Sequence, residues 1–284
     1  MEPIGIIGQG FVGSAVREGM KSFFDIVAFD KDVTKCINAT SIDDLVFKVD
    51  VTFLCVPTPM RKNGSCDLSI VKSVLEELST EAVKLGKKDF TVVIKSTIPP
   101  GTTDLLSSMY PELCVIFNPE FLTEANAIND YKNQNRIILG GNRIGTTKLK
   151  RIFVKAFPEV PVIKTSSTIA ETIKYVTNTF LAMKVSYANE IYQMCQKLDI
   201  DYDKVIEYAI YDDRLGDSHW SVPGPDGDLG FGGHCFPKDI AALQYLGSNL
   251  GVTTTMLDAT IAKNAEVRTD KDWEKQIGRA VSAE

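Results

Sequence analysis

Short apolar runs and amphipathic stretches alternate through the first half of this chain. Pro3–Ile7, Asp25–Phe29, Val51–Val56, Phe90–Ile94, Cys114–Phe117, Arg136–Leu139 and Val160–Ile163 each read as a short strand. Between two of them, Leu68–Leu85 carries Val71, Val74, Leu75, Leu78, Ala82 and Leu85 at helical spacing. Strands rich in Val and Ile that alternate with helices predict a parallel sheet covered on both faces, a doubly wound domain. After about Ser166 the period changes. Ile169, Ile173, Val176, Phe180, Met183, Tyr187, Ile191, Met194 and Leu198 recur at steps of three and four, which predicts one helix of about thirty residues, roughly 45 Å long. Ser166, Ser167 or Thr168 is placed to cap its start, with Glu171 in capping-box position to Thr168. Shorter helices are expected at Tyr202–Ala209, Pro237–Leu250 and Met256–Val267, and a long Gly-, Pro- and Asp-rich loop at Tyr211–Gly233.

The fold class expected is therefore α/β: a Rossmann-like doubly wound domain over residues 1–166, then an all-α domain built on the long central helix over 167–284. A length of 284 residues agrees with two domains at roughly 100–200 residues each. The net charge of −6 argues against a general nucleic-acid binder. No apolar stretch approaches a membrane span, and the first residues lack the layout of a signal peptide. The 6 cysteines show no CxxC spacing and the 2 histidines have no third ligand nearby, so neither a disulfide framework nor a metal site is expected. A soluble cytoplasmic protein is the expectation.

Four segments carry chemistry. Gly8-Gln9-Gly10-Phe11-Val12-Gly13 follows the first strand and opens a helical run, so a pyrophosphate can approach Gly10 at a helix N-terminus. Asp30 ends the second strand, placed to accept from an adenosine ribose and to repel a 2′-phosphate; NAD is expected over NADP. Lys174 and Asn178 are i, i+4 neighbours, and a cation beside an amide suits a developing oxyanion; solvated helix residues would show the same spacing. In Gly230-Phe231-Gly232-Gly233-His234-Cys235-Phe236-Pro237-Lys238-Asp239, Pro237 suits a first helical turn, which puts Cys235 just before a helix N-terminus and near Lys238. Both favour a thiolate, although a buried structural cysteine is the plainer alternative. Finally, Cys55–Pro59, Lys95-Ser96-Thr97 and Asn118-Pro119-Glu120-Phe121-Leu122-Thr123-Glu124 all follow strands, at the edge where such sheets bind ligands.

In this order the motifs resemble the UDP-glucose/GDP-mannose dehydrogenase family. The resemblance rests on the glycine turn, the Val-Pro-Thr-Pro strand end, Gly64-Ser65-Cys66-Asp67-Leu68-Ser69, Lys95-Ser96-Thr97, Asn118–Leu122, Glu171–Tyr175 with Asn178, and the glycine-framed cysteine followed by Pro-Lys-Asp. It implies NAD-dependent four-electron oxidation of the C6 alcohol of a nucleotide sugar, most simply UDP-glucose to UDP-glucuronate. In that scheme Cys235 forms the thiohemiacetal and thioester, and Lys174 and Asn178 stabilise oxyanions. Thr97, Glu120 and Asp239 order water or move protons. Cofactor contacts are expected from Gly8, Gly10, Phe11, Val12, Gly13, Asp30, Val56, Thr58, Thr97 and Glu124. Substrate contacts are expected from Glu120, Phe121, Leu122, Lys174, Asn178, Phe231, Gly232 and, across a subunit interface, Arg214. The long helix matches the centre of a homodimer.

The resemblance also implies a further C-terminal nucleotide-binding domain, of which no segment is found; a longer polypeptide, a naturally short form, or another chain supplying it are the alternatives. The loop from Arg214 to Gly230 looks longer than the family's. Two other readings compete. One is a two-electron β-hydroxyacid-type dehydrogenase, which leaves Cys235 without a purpose. The other is a non-catalytic NAD-binding partner subunit, which leaves the retained reactive side chains unexplained.

Overall fold

The computed structural model describes residues 1–283, which form two compact units. The first comprises Met1–Thr58 and Leu68–Lys174; the second comprises Pro59–Asp67 and the chain from Tyr175 onward.

In the first unit, strands β1 (Pro3–Ile7), β2 (Asp25–Phe29), β3 (Val51–Leu54), β4 (Phe90–Ile94), β5 (Leu113–Phe117), β6 (Ile137–Gly140) and β7 (Val162–Thr165) form one sheet in the order β2-β1-β3-β4-β5-β6-β7. Side chains alternate faces along each strand. Ile4, Ile6, Phe53, Val93, Ile116 and Leu139 point to one face, where α1 (Phe11–Met20), α5 (Ala127–Lys132) and α6 (Arg143–Ala156) cover them. Ile7, Leu54, Val92, Ile94, Val115 and Ile138 point to the other, under α2 (Ile42–Lys48), α3 (Ser69–Lys84), α4 (Thr102–Met109) and the start of α7 (Ser167–Leu198). The domain is doubly wound, as the alternation predicts. Strand order reverses at β1, so the carboxyl ends of β1 and β3 flank the crevice where ligands of such sheets bind.

The sheet is parallel, as expected, except at one seam. β5 and β6 meet antiparallel, through Phe117 and Gly140. The intervening helix α5 has 6 residues, about 9 Å of rise. β6 runs in from the end at which β5 leaves, and the two strands overlap only at this pair.

The capping-box expectation at α7 is also corrected. The Ser166 hydroxyl accepts from the Ile169 N–H at 3.4 Å, while Glu171 turns away from its own helix. Fully buried, Glu171 accepts from the Gly101 N–H (2.6 Å), the Thr103 N–H (2.7 Å) and the Thr103 hydroxyl (2.6 Å), and so caps α4 from outside. Burial raises the Glu171 carboxyl, and these donors oppose the shift.

The 32 residues of α7 present an unusual division. Within the repeating apolar stripe, Ile169, Val176, Phe180, Tyr187, Met194 and Leu198 are exposed, whereas Glu171, Lys174, Asn178, Thr179, Ser186 and Asn189 are buried. The second unit adds α8 (Tyr202–Ala209), α9 (Phe236–Asn249) and α10 (Thr255–Val267). Ala188, Cys195, Tyr202, Trp220 and Val222 form one small core there, and Ala182, Phe231 and Ile240 another. Within the loop Tyr211–Gly233, Trp220 is buried and the Tyr202 hydroxyl donates to its carbonyl at 2.6 Å. Met60 pairs with both Cys66 and Val281, joining the 59–67 segment to the last described residues. Among the described residues no helix is long and apolar enough to cross a membrane.

Glu171 satisfies three donors at once, so its truncation is costly. Glu171→Ala should lower the unfolding free energy by roughly 3 kcal/mol, and Glu171→Gln, which keeps an acceptor oxygen, by about half that or less. Urea titration of the two variants checks the difference.

Candidate active site

The glycine turn is shaped by contacts that exclude side chains. Gly8 has φ +89°, and a Cβ there would lie 2.5 Å from the Cys55 carbonyl oxygen; a Cβ on Gly13 would lie 1.8 Å from the Gly8 carbonyl. Nothing lies within 4 Å of the Cβ direction of Gly10, the N-cap of α1. Gly10 offers no side-chain cap and no acid occupies the first turn, which suits a pyrophosphate at this helix N-terminus. Phe11 and Val12 begin the helix, and Gly13 sits buried within its first turn. Asp30 lies just beyond β2; its carboxylate accepts from the Gln9 N–H at 2.5 Å and the Asp32 N–H at 2.9 Å. The acid is thereby locked to the turn. An open glycine beside an oriented carboxylate fits a dinucleotide with a free 2′-hydroxyl.

The ends of β3 and β4 are tied together. The Ser96 hydroxyl donates to the Val56 carbonyl at 2.6 Å, and the Thr58 hydroxyl to the Thr97 carbonyl at 2.8 Å. Beside them, the buried Lys95 ammonium donates to the Asn118 carbonyl (3.2 Å) and its Oδ1 (2.8 Å), and Asn118 Nδ2 donates to the Ile138 carbonyl (2.8 Å). Burial lowers the Lys95 ammonium to about 8 and raises the nearby Cys55 thiol to about 12. Lys174, 2% exposed, donates to both the Glu120 carbonyl (2.7 Å) and its Oε1 (2.8 Å). Glu120 Oε2 accepts from the Leu122 N–H at 2.8 Å. Burial would raise the Glu120 carboxyl, but the Lys174 ammonium outweighs it and holds the group below the ordinary carboxylate value. The Phe121 ring lies 4.2 Å from the Arg136 guanidinium and 5.7 Å from the Lys174 ammonium. Glu124 is exposed on a single turn of 3-10 helix, Glu124–Asn126.

In the second unit Cys235 is the N-cap of α9, its carbonyl accepting from the Asp239 N–H at 3.0 Å. Pro237 occupies the first turn, where its missing N–H costs nothing. Asp239 is 1% exposed; it accepts from Asn178 Nδ2 at 2.6 Å and pairs with the neighbouring Lys238 ammonium. Burial alone would lower Lys238, but Asp239 and the Cys235 sulfur raise it, so a persistent positive charge stands beside that sulfur. Phe231 is buried against Phe236, with ring centroids 6.0 Å apart, and Gly232 adjoins it. Arg214 is exposed and clamps Asp212 through Nε at 2.8 Å, a local pair within its own turn. Among the described residues no cluster of His, Cys, Asp and Glu is arranged to hold a metal ion.

Comparison with known proteins places this arrangement. Residues 34–157 match the model of the UDP-glucose/GDP-mannose dehydrogenase family, NAD binding domain, and residues 168–266 match that of its central domain. The UDP-glucose 6-dehydrogenase AglM of Haloferax volcanii is 32% identical over 92% of this chain and 69% of its own length. The chain belongs to the UDP-glucose/GDP-mannose dehydrogenase family. UDP-glucose 6-dehydrogenase TuaD of Bacillus subtilis is also 32% identical, over 85% of this chain and 50% of TuaD. Among solved structures, a UDP-glucose dehydrogenase from Pyrobaculum islandicum superposes with a TM-score of 0.83 at 27% identity, covering 94% of this chain and 68% of that one. The chain thus spans about half to two thirds of the length of its relatives. The cofactor of this family domain is NAD, and the glycine turn and Asp30 fit it.

Lys174 and Asn178 are not solvated helix residues: each is buried against a carboxylate of its own unit. Lys95 and Asn118 lie inside segments the sequence flags, but their mutual bond joins two strand ends and has no local signature.

Glu120 yields a pH prediction. Its carboxyl is lowered from 4.5 in the folded state, so its contribution is complete above that value and is lost as pH falls through the lower folded value. Glu120→Gln, which leaves Lys174 buried and unpaired, should cost roughly 3–5 kcal/mol at neutral pH. The deficit should shrink in acid, as urea titrations of parent and variant across that range would show. Asp30→Ala should weaken NAD binding about tenfold or more while weakening NADP less, read by parallel binding titrations.

Proposed function

We propose that this protein is an NAD-dependent nucleotide-sugar 6-dehydrogenase, acting on UDP-glucose to give UDP-glucuronate. The observation that carries the reading is Cys235 at the N-cap of α9, with a buried Lys238–Asp239 pair in the turn that follows and Asn178 bonded to Asp239. A two-electron alcohol dehydrogenase has no use for this cysteine. The functional division we propose is a cofactor domain over residues 1–166 and a helical domain over 167–284.

When bound, NAD is the two-electron acceptor, and two molecules used in turn account for four electrons. Gly8, Gly10, Phe11, Val12, Gly13 and Asp30 would hold it, with Val56, Thr58, Thr97 and Glu124 along the strand ends. Phe121, Leu122, Phe231 and Gly232 would line the sugar, and Arg214 would reach a neighbouring subunit's substrate. Lys174 and Asn178 would stabilise the C6 oxyanion as the alcohol loses its proton. The Cys235 sulfur would add to the aldehyde carbon, giving a thiohemiacetal that the second oxidation turns into a thioester. Water, held by Thr97, Glu120 and Asp239, would then add its oxygen to the acyl carbon. The sulfur leaves, and the product is a carboxylate. The Glu120–Lys174 pair supports this role because it is buried and hydrogen-bonded, with Glu120 also accepting from the Leu122 N–H.

The protein acts as a homodimer through α7. Ile169, Val176, Phe180, Tyr187, Met194 and Leu198 are each about half exposed or more on one helix. A stripe of large apolar side chains along one helix is what a partner covers.

Counting NADH formed from limiting UDP-glucose tests the chemistry. Two per sugar, with Cys235→Ala reduced at least about a hundredfold, is the expected outcome. One NADH with no acyl adduct on Cys235 would select a simple alcohol dehydrogenase. None from any nucleotide sugar, with NAD still bound, would select a non-catalytic subunit. Light scattering should give a dimer, and Phe180→Glu should shift it to monomer.

A further inference from the structure

The segment Gly230–Cys235 has no regular secondary structure, and its four residues before His234 include three glycines, so side chains elsewhere must set its path. They do so bond by bond. The Gly230 N–H donates to Asn189 Oδ1 at 3.1 Å. Asn264 accepts from the Phe231 N–H at 2.7 Å and donates to the Phe231 carbonyl at 3.0 Å. The Gly233 N–H points between both oxygens of Asp272, each at 3.1 Å. A Cβ on Gly232 would lie 2.3 Å from Arg268 Nη2 and 2.4 Å from Asp272 Oδ1, so this ion pair lies flat against the backbone beside the cysteine turn.

Arg268 is the centre of that support. Its side chain is 3% exposed and meets three carboxylates: Asp226 at 2.7 Å, Asp272 at 3.3 Å and Asp228 at 3.4 Å. Its Nε also donates to the Asp270 carbonyl at 2.7 Å. Asp226 and Asp228 lie at the far end of the glycine-rich loop, and Asp272 holds Gly233 at the near end. Asp228 in turn accepts from the N–H groups of Thr269 and Asp270, and its carboxyl is lowered to about 2 by the Asp270 N–H first. One guanidinium therefore closes the loop at both ends. A lysine could not, because its single ammonium cannot face three carboxylates and a carbonyl in a plane.

We propose that Arg268, acting through Asp272, is a positioning residue that fixes the backbone leading into Cys235 and so aims its sulfur; the inference rests on Cys235 being the nucleophile. It touches neither substrate nor cofactor in this scheme, and its effect is on geometry.

The test uses the full chain with Arg268→Ala, Arg268→Lys, Asp272→Ala and Asp272→Asn. For Arg268→Ala, kcat should fall about a hundredfold, as small misplacements of a reacting group do, while the NAD dissociation constant stays within about twofold. Guanidinium ion should restore at least about tenfold of the loss, and Arg268→Lys should not. Asp272→Ala should resemble Arg268→Ala, whereas Asp272→Asn, which keeps an acceptor for Gly233, should remain within about threefold of the parent. A folded, NAD-binding Arg268→Ala with parental kcat overturns the proposal, as does a loss that guanidinium leaves untouched. Should that variant not fold, the contrast between Asp272→Ala and Asp272→Asn decides. If the parent turns over no nucleotide sugar, the functional reading fails separately. Iodoacetamide alkylation of Cys235, followed by mass spectrometry, then reads the loop directly: a change of at least about tenfold in Arg268→Ala upholds the positioning role, and an unchanged rate ends it.

Discussion

A polar group taken out of water must find a partner inside the protein, at a cost of about 1–3 kcal/mol if it does not. Helix α7 turns that constraint into architecture. Its buried side carries Glu171, Lys174, Asn178, Ser186 and Asn189 where an ordinary amphipathic helix would carry Leu or Ile. Each reaches a different element: Glu171 caps α4, Lys174 grips Glu120, Asn178 holds Asp239, Ser186 donates to the Thr260 carbonyl, and Asn189 receives the Gly230 N–H. Apolar packing tolerates a shift of an ångström; a hydrogen bond does not. Within each unit the loop that bears the reactive group, Glu120 in the first and Cys235 in the second, is therefore tied by directional contacts to that unit's own part of the helix.

Charge follows the same logic. The site elements are ionic but nearly balanced. Lys174 faces Glu120 and Lys238 faces Asp239, and Arg268 gathers three carboxylates whose excess charge neighbouring N–H groups absorb. Lys95 is the outlier, a buried cation held by a neutral amide and a carbonyl, and its lowered proton affinity is the signature of that mismatch.

What the sequence discloses and what it hides divide along physical lines. Strands such as Phe90–Ile94 and Leu113–Phe117 are legible because burial on both faces demands continuous apolar runs. The glycine turn is legible because Gly8 and Gly13 are the residues that fit there, and the cysteine turn because Pro237 marks a helix start. Partners distant in sequence are not legible. Glu171 reads locally as a capping-box acid yet serves a helix some seventy residues away. The reversal at β6 rests on a pairing of Phe117 with Gly140, which the periodicity of neither strand reveals. The apolar stripe of α7 identifies the helix correctly but gives no indication that its largest members face outward. Arg268 and Asn264 carry no motif at all, since their work is done on backbone groups more than thirty residues earlier.

The pairing of Met60 with Ala280 and Val281 has a consequence for how the chain must be made. The 59–67 segment leaves the ribosome early, yet the residues that bridge to it, Ala280 to Ser282, are synthesised more than two hundred residues later. Loop closure on that scale is entropically affordable but slow to be reached. During translation the first unit can consolidate its sheet while the stretch between two of its segments waits without a partner. Maturation of the cysteine-bearing unit thus waits for residues near 280, and cutting the gene at a simple domain border would separate pieces that fold as one.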